Sequence, residues 1–107
     1  MISPHDKGIA QRLREALLAA GVPLLELRVF GSRARGDAGV DSDLDVCLVM
    51  NELSPDILRA VDRVAWEVGF VSGRIISTVE YTRHQLEDSP LRSSPIVLAI
   101  RKEGVAI

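Results

Sequence analysis

The chain lacks a second cysteine. Cys47 therefore has no internal disulfide partner, and a reducing cytoplasm is the expected compartment. It also lacks a surplus of charge: 13 basic side chains stand against 15 acidic ones, a formal net charge of −2. Proteins that grip long nucleic acid electrostatically carry a basic excess, so no extended nucleic-acid binding is expected. A small phosphorylated ligand, which needs only a few local charges, stays open. No run reaches the ~18 apolar residues of a membrane span, so no membrane association is expected. Met1 to Lys7 is polar and carries no signal-peptide pattern. Repeats and low-complexity tracts are absent, and no shift in composition marks a boundary. What is present is 107 residues, 47% of them apolar. That is material for one core, and the chain reads as a single domain over 1–107.

Ser3-Pro4-His5-Asp6 carries helix-start chemistry: a capping serine, a proline for the first turn and an acid for the positive helix end. Ile9, Leu13, Ala16, Leu17 and Ala20 recur at helical spacing, and Gly21 with Pro23 supplies the stop. Leu24 to Phe30 and Leu44 to Met50 read as strands, separated by a polar loop or short helical turn. Ser54-Pro55-Asp56 opens a second helix with Leu58, Val61, Ala65 and Val68 on one face, ending near Gly69. Arg74 to Thr82 is rich in β-branched residues and reads as a third strand. Ser94-Pro95 opens a last helix to Glu103, closed by Gly104; Ile96 to Ile100 could equally form a strand, and length with the Ser-Pro start favours the helix. The expected class is α/β (α+β), a small sheet covered by helices.

Chemistry concentrates in one segment, Gly31-Ser32-Arg33-Ala34-Arg35-Gly36, continuing through Asp37 and Asp41 to Ser42-Asp43-Leu44-Asp45-Val46. Asp43 and Asp45 are one residue apart at the start of a strand, so they share a face. Side by side, the two carboxylates repel, and a hard dication compensates them. Mg²⁺ prefers oxygen ligands and often takes one or two carboxylates plus phosphate oxygens and water. Gly31-Ser32 directly follows a strand. The glycine permits close approach of a ligand to the backbone, and amide donors of a helical turn there favour anions. Arg33 and Arg35 carry guanidinium groups that match phosphate oxygens. A phosphate cradle beside a metal pair describes a site for a nucleoside triphosphate with its metal. Asp37 and Asp41 read as turn residues, Cys47 as a small core residue, His5 and His84 as solvated, and Trp66 as packing.

The spacing of Gly31-Ser32 to Asp43-x-Asp45 resembles the glycine-serine and paired-aspartate motif of the DNA polymerase β-like nucleotidyltransferases. The tighter string from Gly31 to Gly36, with Ser42-Asp43-Leu44-Asp45-Val46, is similar to the minimal nucleotidyltransferases (MNT), one-domain proteins often paired with a helical HEPN partner. The resemblance implies a small mixed sheet flanked by helices, Mg²⁺ as cofactor and ATP as substrate. It further implies an antitoxin that transfers AMP onto a HEPN toxin, alone or as a hetero-oligomer with it. Residue by residue, it implies that Gly31 and Ser32 hold the triphosphate and that Asp43 and Asp45 bind the metal. Arg33 or Arg35 would assist at the phosphates, Arg35 being preferred for its place in the Ala-Arg-Gly part of the motif. Relatives also carry a third carboxylate on the third strand. Glu80 is the only acid there. Alternation puts it on one face with Arg74, Ile76, Thr78 and Thr82, and puts Ile75, Ser77, Val79 and Tyr81 on the other. If the site looks onto the first face, Glu80 is the base or third ligand; if onto the second, Ser77 replaces the acid.

Three functions follow. The leading one is AMP transfer to a hydroxyl of a partner protein, because the chain has no further lobe to hold a small acceptor. The second is a catalytically weak or inactive module that neutralises its partner by binding it. The third is a small-molecule nucleotidyltransferase that builds its acceptor pocket as a homo-oligomer.

Overall fold

The computed structural model describes residues 1–39 and 41–107; Val40, inside the motif segment, lies outside the described residues. Helix α1 spans Pro4–Ala19, strand β1 Leu24–Phe30, the short helix α2 Gly31–Arg35 and strand β2 Leu44–Met50. Helix α3 spans Pro55–Ser72 and strand β3 Ile76–Thr82. The short helix α4 (Arg83–Glu87), a 3₁₀ turn (Pro90–Ser93), helix α5 (Pro95–Glu103) and the two-residue strand β4 (Val105–Ala106) complete the order. The three Ser-Pro starts all cap as expected. Ser3 accepts from the Asp6 amide, Ser54 from Ile57 and Ser94 from Val97.

The sheet order is β3-β2-β1-β4. β1 runs antiparallel to β2 and β4, and β3 runs parallel to β2. The mixed sheet flanked by helices is the expected fold class. One sheet face carries Leu27, Val29, Leu44, Val46, Leu48 and Met50, all fully buried. It packs with Ile9, Leu13 and Leu17 of α1 and Val61, Val64 and Ala65 of α3 in one core cluster. The other face carries Asp45, Cys47 and Val49, and α5 covers part of it through Ile100.

Four local features differ from the sequence expectation. Helix α3 runs past Gly69 to Ser72. Gly69 is not a stop: a Cβ there would lie 2.6 Å from the Arg74 carbonyl oxygen, so glycine lets the chain return tightly against the helix. Leu58 faces outward at 37% exposure. Trp66 is 68% exposed and stacks on Phe70, ring centroids 5.2 Å apart, instead of entering the core. Helix α4, the 3₁₀ turn and β4 were absent from the expected order; α4 opens on a capping box between Thr82 and Gln85.

Asp6 does more than favour a helix end. It is buried, and its two carboxylate oxygens face different arginines: Oδ1 lies 2.7 Å from Arg74 Nη1 and Oδ2 3.5 Å from Arg33 Nη1. The Arg74 contact is an ion pair without hydrogen-bond alignment. Arg33 also donates through Nε and Nη2 to the Ser42 carbonyl, at 3.2 and 3.0 Å. α1, α2, the approach to β2 and the approach to β3 thus meet at one carboxylate. Asp6→Ala leaves two largely buried guanidinium groups without it, which is expected to cost about 3 kcal/mol or more of folding stability. Urea denaturation checks this; a change below about 1 kcal/mol, the range of an exposed pair, contradicts it.

Candidate active site

β1 ends at Phe30 and the chain turns at once into α2. Gly31 makes the turn with φ 73°, the left-handed region that glycine enters without strain. A Cβ at this position would lie 2.5 Å from Asp45 Oδ2. The backbone of Gly31 therefore lies directly against the Asp45 carboxylate, as the register Phe30 opposite Asp45 requires. Ser32 follows, half-buried, in α2. The structure brings the glycine-serine turn and the aspartate pair together.

Asp43 is exposed just before β2, and Asp45 is half-buried within it. Buried Leu44 lies between them on the core side. Burial pushes the Asp45 carboxyl above the usual carboxylate range, and the neighbouring Asp43 charge pushes it further; Arg35 pulls the other way. A dication bound there would relieve both the burial cost and the repulsion. Among the described residues no three His, Cys, Asp or Glu side chains converge as a metal cluster. Two carboxylates nevertheless suit Mg²⁺ when phosphate oxygens and water supply the other ligands.

The arginines separate. Arg33 is engaged by Asp6 and the Ser42 carbonyl and ties the loop to the core. Arg35 is exposed beside the site. Its Nη1 donates to both carboxylate oxygens of Glu103, at 3.1 and 3.0 Å, and its Nε donates to Asp37 at 3.1 Å. These two acids raise the guanidinium pKa and keep it charged.

Glu80 is not in this site. In the parallel register Asp45 lies opposite Ser77 and Leu48 opposite Glu80, so Glu80 shares the core-side face with Leu44 and Val46. It accepts from Thr78 Oγ1 at 2.8 Å. Ser77 stands on the site face and donates to Asp43 Oδ2 at 3.1 Å. Of the two alternations open in the sequence, the second holds, and the assignment of Glu80 as a third carboxylate at the aspartate pair is corrected.

Glu103, by contrast, was missed. Its Oε1 accepts from the Gly31 amide at 3.3 Å as well as from Arg35. No motif flags it, because α5 brings it from 72 positions away. Cys47 is fully buried and its thiol is pushed up to about 12, chiefly by burial, so it is an inert core residue as expected. A groove of about 300 Å³ on the same sheet face is lined by Arg28, Cys47, Val49 and Arg101 among others. Asp43 and Asp45 are not part of its lining.

The family model for the nucleotidyltransferase domain matches residues 9–103. A search of curated proteins finds no significant match. Among solved structures, the chain is similar to one described as a minimal nucleotidyltransferase, with 24% identity, a TM-score of 0.59 and 95% of each chain covered. It is similar to a toxin–antitoxin crystallised with AMP-PNP, at 20% identity and a TM-score of 0.61, over 94% of this chain and 70% of that one. It is also similar to a complex of tri-AMPylated Shewanella oneidensis HEPN toxin with MNT antitoxin, at 16% identity and a TM-score of 0.59, with the same coverage. At these identities the likeness is one of fold.

The charge on Asp45 sets a pH dependence. Because its folded pKa is raised, the charged form costs stability above that pKa, and proton uptake relieves the cost as pH falls through it. Asp45→Asn is expected to raise Tm at pH 7 without divalent cation, an advantage that shrinks on acidification toward the carboxylate range. Melting curves of both proteins between neutral and acid pH check this; a variant that melts lower than the parent at pH 7 contradicts it.

Proposed function

The chain belongs to the nucleotidyltransferase domain family, and from that membership we propose that it transfers AMP from ATP, with Mg²⁺, to a hydroxyl of a partner protein. The partner proposed is the HEPN toxin of a HEPN–MNT pair, met in the cytoplasm by this chain acting as one domain. The observation that carries the reading is the Gly31 backbone lying against the Asp45 carboxylate. A phosphate held at that backbone would stand beside the acids that hold its metal. The toxin–antitoxin complexes among the similar structures, one with AMP-PNP and one with an AMPylated toxin, support the choice of nucleotide and partner.

In this reading Gly31 and Ser32 hold the triphosphate, Arg35 assists at its oxygens, and Asp43 and Asp45 anchor the metal. Arg33 acts at a distance, by fixing the loop through Ser42 and Asp6. Bound Mg²⁺ supplies positive charge to the phosphates. The acceptor oxygen bonds to the α-phosphorus, the bond to the β-phosphate oxygen breaks, and pyrophosphate leaves. The acceptor proton needs a base within hydrogen-bond reach. Ser77 in the position facing Asp45 supplies none.

That serine favours a second reading, a module that binds nucleotide and partner but transfers AMP weakly or not at all. One assay separates the two: labelled ATP, Mg²⁺ and the protein encoded beside this gene, which this reading expects to be a HEPN protein. Transfer by the native chain supports the enzyme; tight partner binding without transfer supports the module. Asp43→Asn with Asp45→Asn is expected to abolish Mg²⁺-dependent ATP binding in calorimetry while the fold persists; undiminished binding ends both readings. Ser77→Asp, which puts a carboxylate on the site face, is expected to raise transfer about 100-fold. Glu80→Gln is expected to leave transfer unchanged, and a large loss there would return Glu80 to the chemistry.

A further inference from the structure

The phosphate donors already hold an anion. Glu103 lies at the end of α5, and its carboxylate accepts from the Gly31 amide at 3.3 Å and from Arg35 Nη1 through both oxygens. These are two of the groups assigned above to the triphosphate. The contact is not an accident of a loose side chain. α5 is seated on the sheet by buried Val97 and Ile100. Directly after Glu103, the Gly104 amide donates to the Ile100 carbonyl at 2.8 Å. The next residue, Val105, pairs with Val29, and the Ile107 amide donates to the Leu27 carbonyl at 3.0 Å. Glu103 is thus delivered to the cradle by an element anchored on both sides of it. Its own side chain is 22% exposed, so the carboxylate borders on water.

We propose that Glu103 is an internal competitor of the triphosphate: its carboxylate occupies the Gly31 amide and Arg35 until nucleotide displaces it. The inference rests on the nucleotide-binding reading above and adds its regulation. With the carboxylate in place, Arg35 is neutralised from two sides, by Glu103 and Asp37. An incoming polyphosphate regains Arg35 only by breaking the Glu103 contact. The freed carboxylate is then repelled by the phosphates, so the two anions exclude one another. Nothing in this requires the adenine or ribose, so the competition concerns phosphate oxygens alone.

The test titrates Mg·ATP, inorganic tripolyphosphate with Mg²⁺, and adenosine into the native chain, Glu103→Gln and Glu103→Ala. Melting curves establish that each variant is folded. Gln keeps the length without the charge, and Ala empties the position, so the result does not depend on one substitution. Removing a partly exposed ionic competitor is expected to tighten ATP and tripolyphosphate alike by about three- to tenfold and to leave adenosine unchanged. Equal or weaker ATP binding by folded variants, with the native chain binding normally, overturns the inference and makes Glu103 a support of the cradle. Tightening confined to adenosine also overturns it. Binding by the variants but not by the native chain supports it in its strongest form. No nucleotide binding by any of the three proteins removes the nucleotide reading itself, and the inference with it.

Discussion

One buried carboxylate organises the charged segment. Asp6 sits on the first turn of α1, yet its two oxygens answer arginines from α2 and from the approach to β3. Two cations and one anion do not balance, and the Ser42 carbonyl takes part of the surplus by accepting twice from Arg33. Ser42 immediately precedes Asp43 in the chain. The approach to the first aspartate is therefore tied through Arg33 to the carboxylate of Asp6. A buried charge of this kind contributes less to net stability than to uniqueness, because any alternative path of the loop would strand a guanidinium away from water.

Around the site, charges alternate in sign over short distances. Asp43 and Asp45 crowd one another, and Arg35 stands between them and the acids Glu103 and Asp37. The Asp45 carboxyl is pushed up chiefly by burial and further by Asp43. In this arrangement Arg35 hydrogen-bonds to Glu103 and Asp37 and acts on Asp45 only through its charge. A ligand that carries both signs, metal and polyphosphate, would satisfy both halves together. Either component alone would meet an opposing charge.

Local chemistry was legible in the sequence and long-range register was not. The Ser-Pro starts, β1, β2 and the Gly31 turn could be read because each depends on a few neighbours: a hydroxyl three residues from an amide, an apolar run, a missing Cβ. The face of β3 could not be read. Alternation separates Ser77 from Glu80 but does not say which set looks at Asp45; that is decided by parallel pairing across the whole of α3. Glu103 was invisible for the same reason, since only β4 and the packing of α5 bring it to Gly31. Trp66 was read as packing, and it packs on the helix surface against Phe70. Gly69 misled through its type: a glycine was taken as a break where it serves a close approach.

The placement of the acids within the sheet has a consequence for how such a chain can change. Asp45 belongs to β2, which has a neighbour on both sides and supplies the core with Val46 and Leu48. Ser77 belongs to β3, the edge strand, every residue of which is only partly buried. A larger side chain at the inner position meets the Gly31 backbone within a strand that is paired on both sides. Substitution at the edge position alters a half-solvated side chain and its hydrogen bond to Asp43. The chemistry of residue 77 is therefore nearly decoupled from foldability: under the proposed function, a lineage could exchange transfer for silent binding at one edge residue while its scaffold stayed intact.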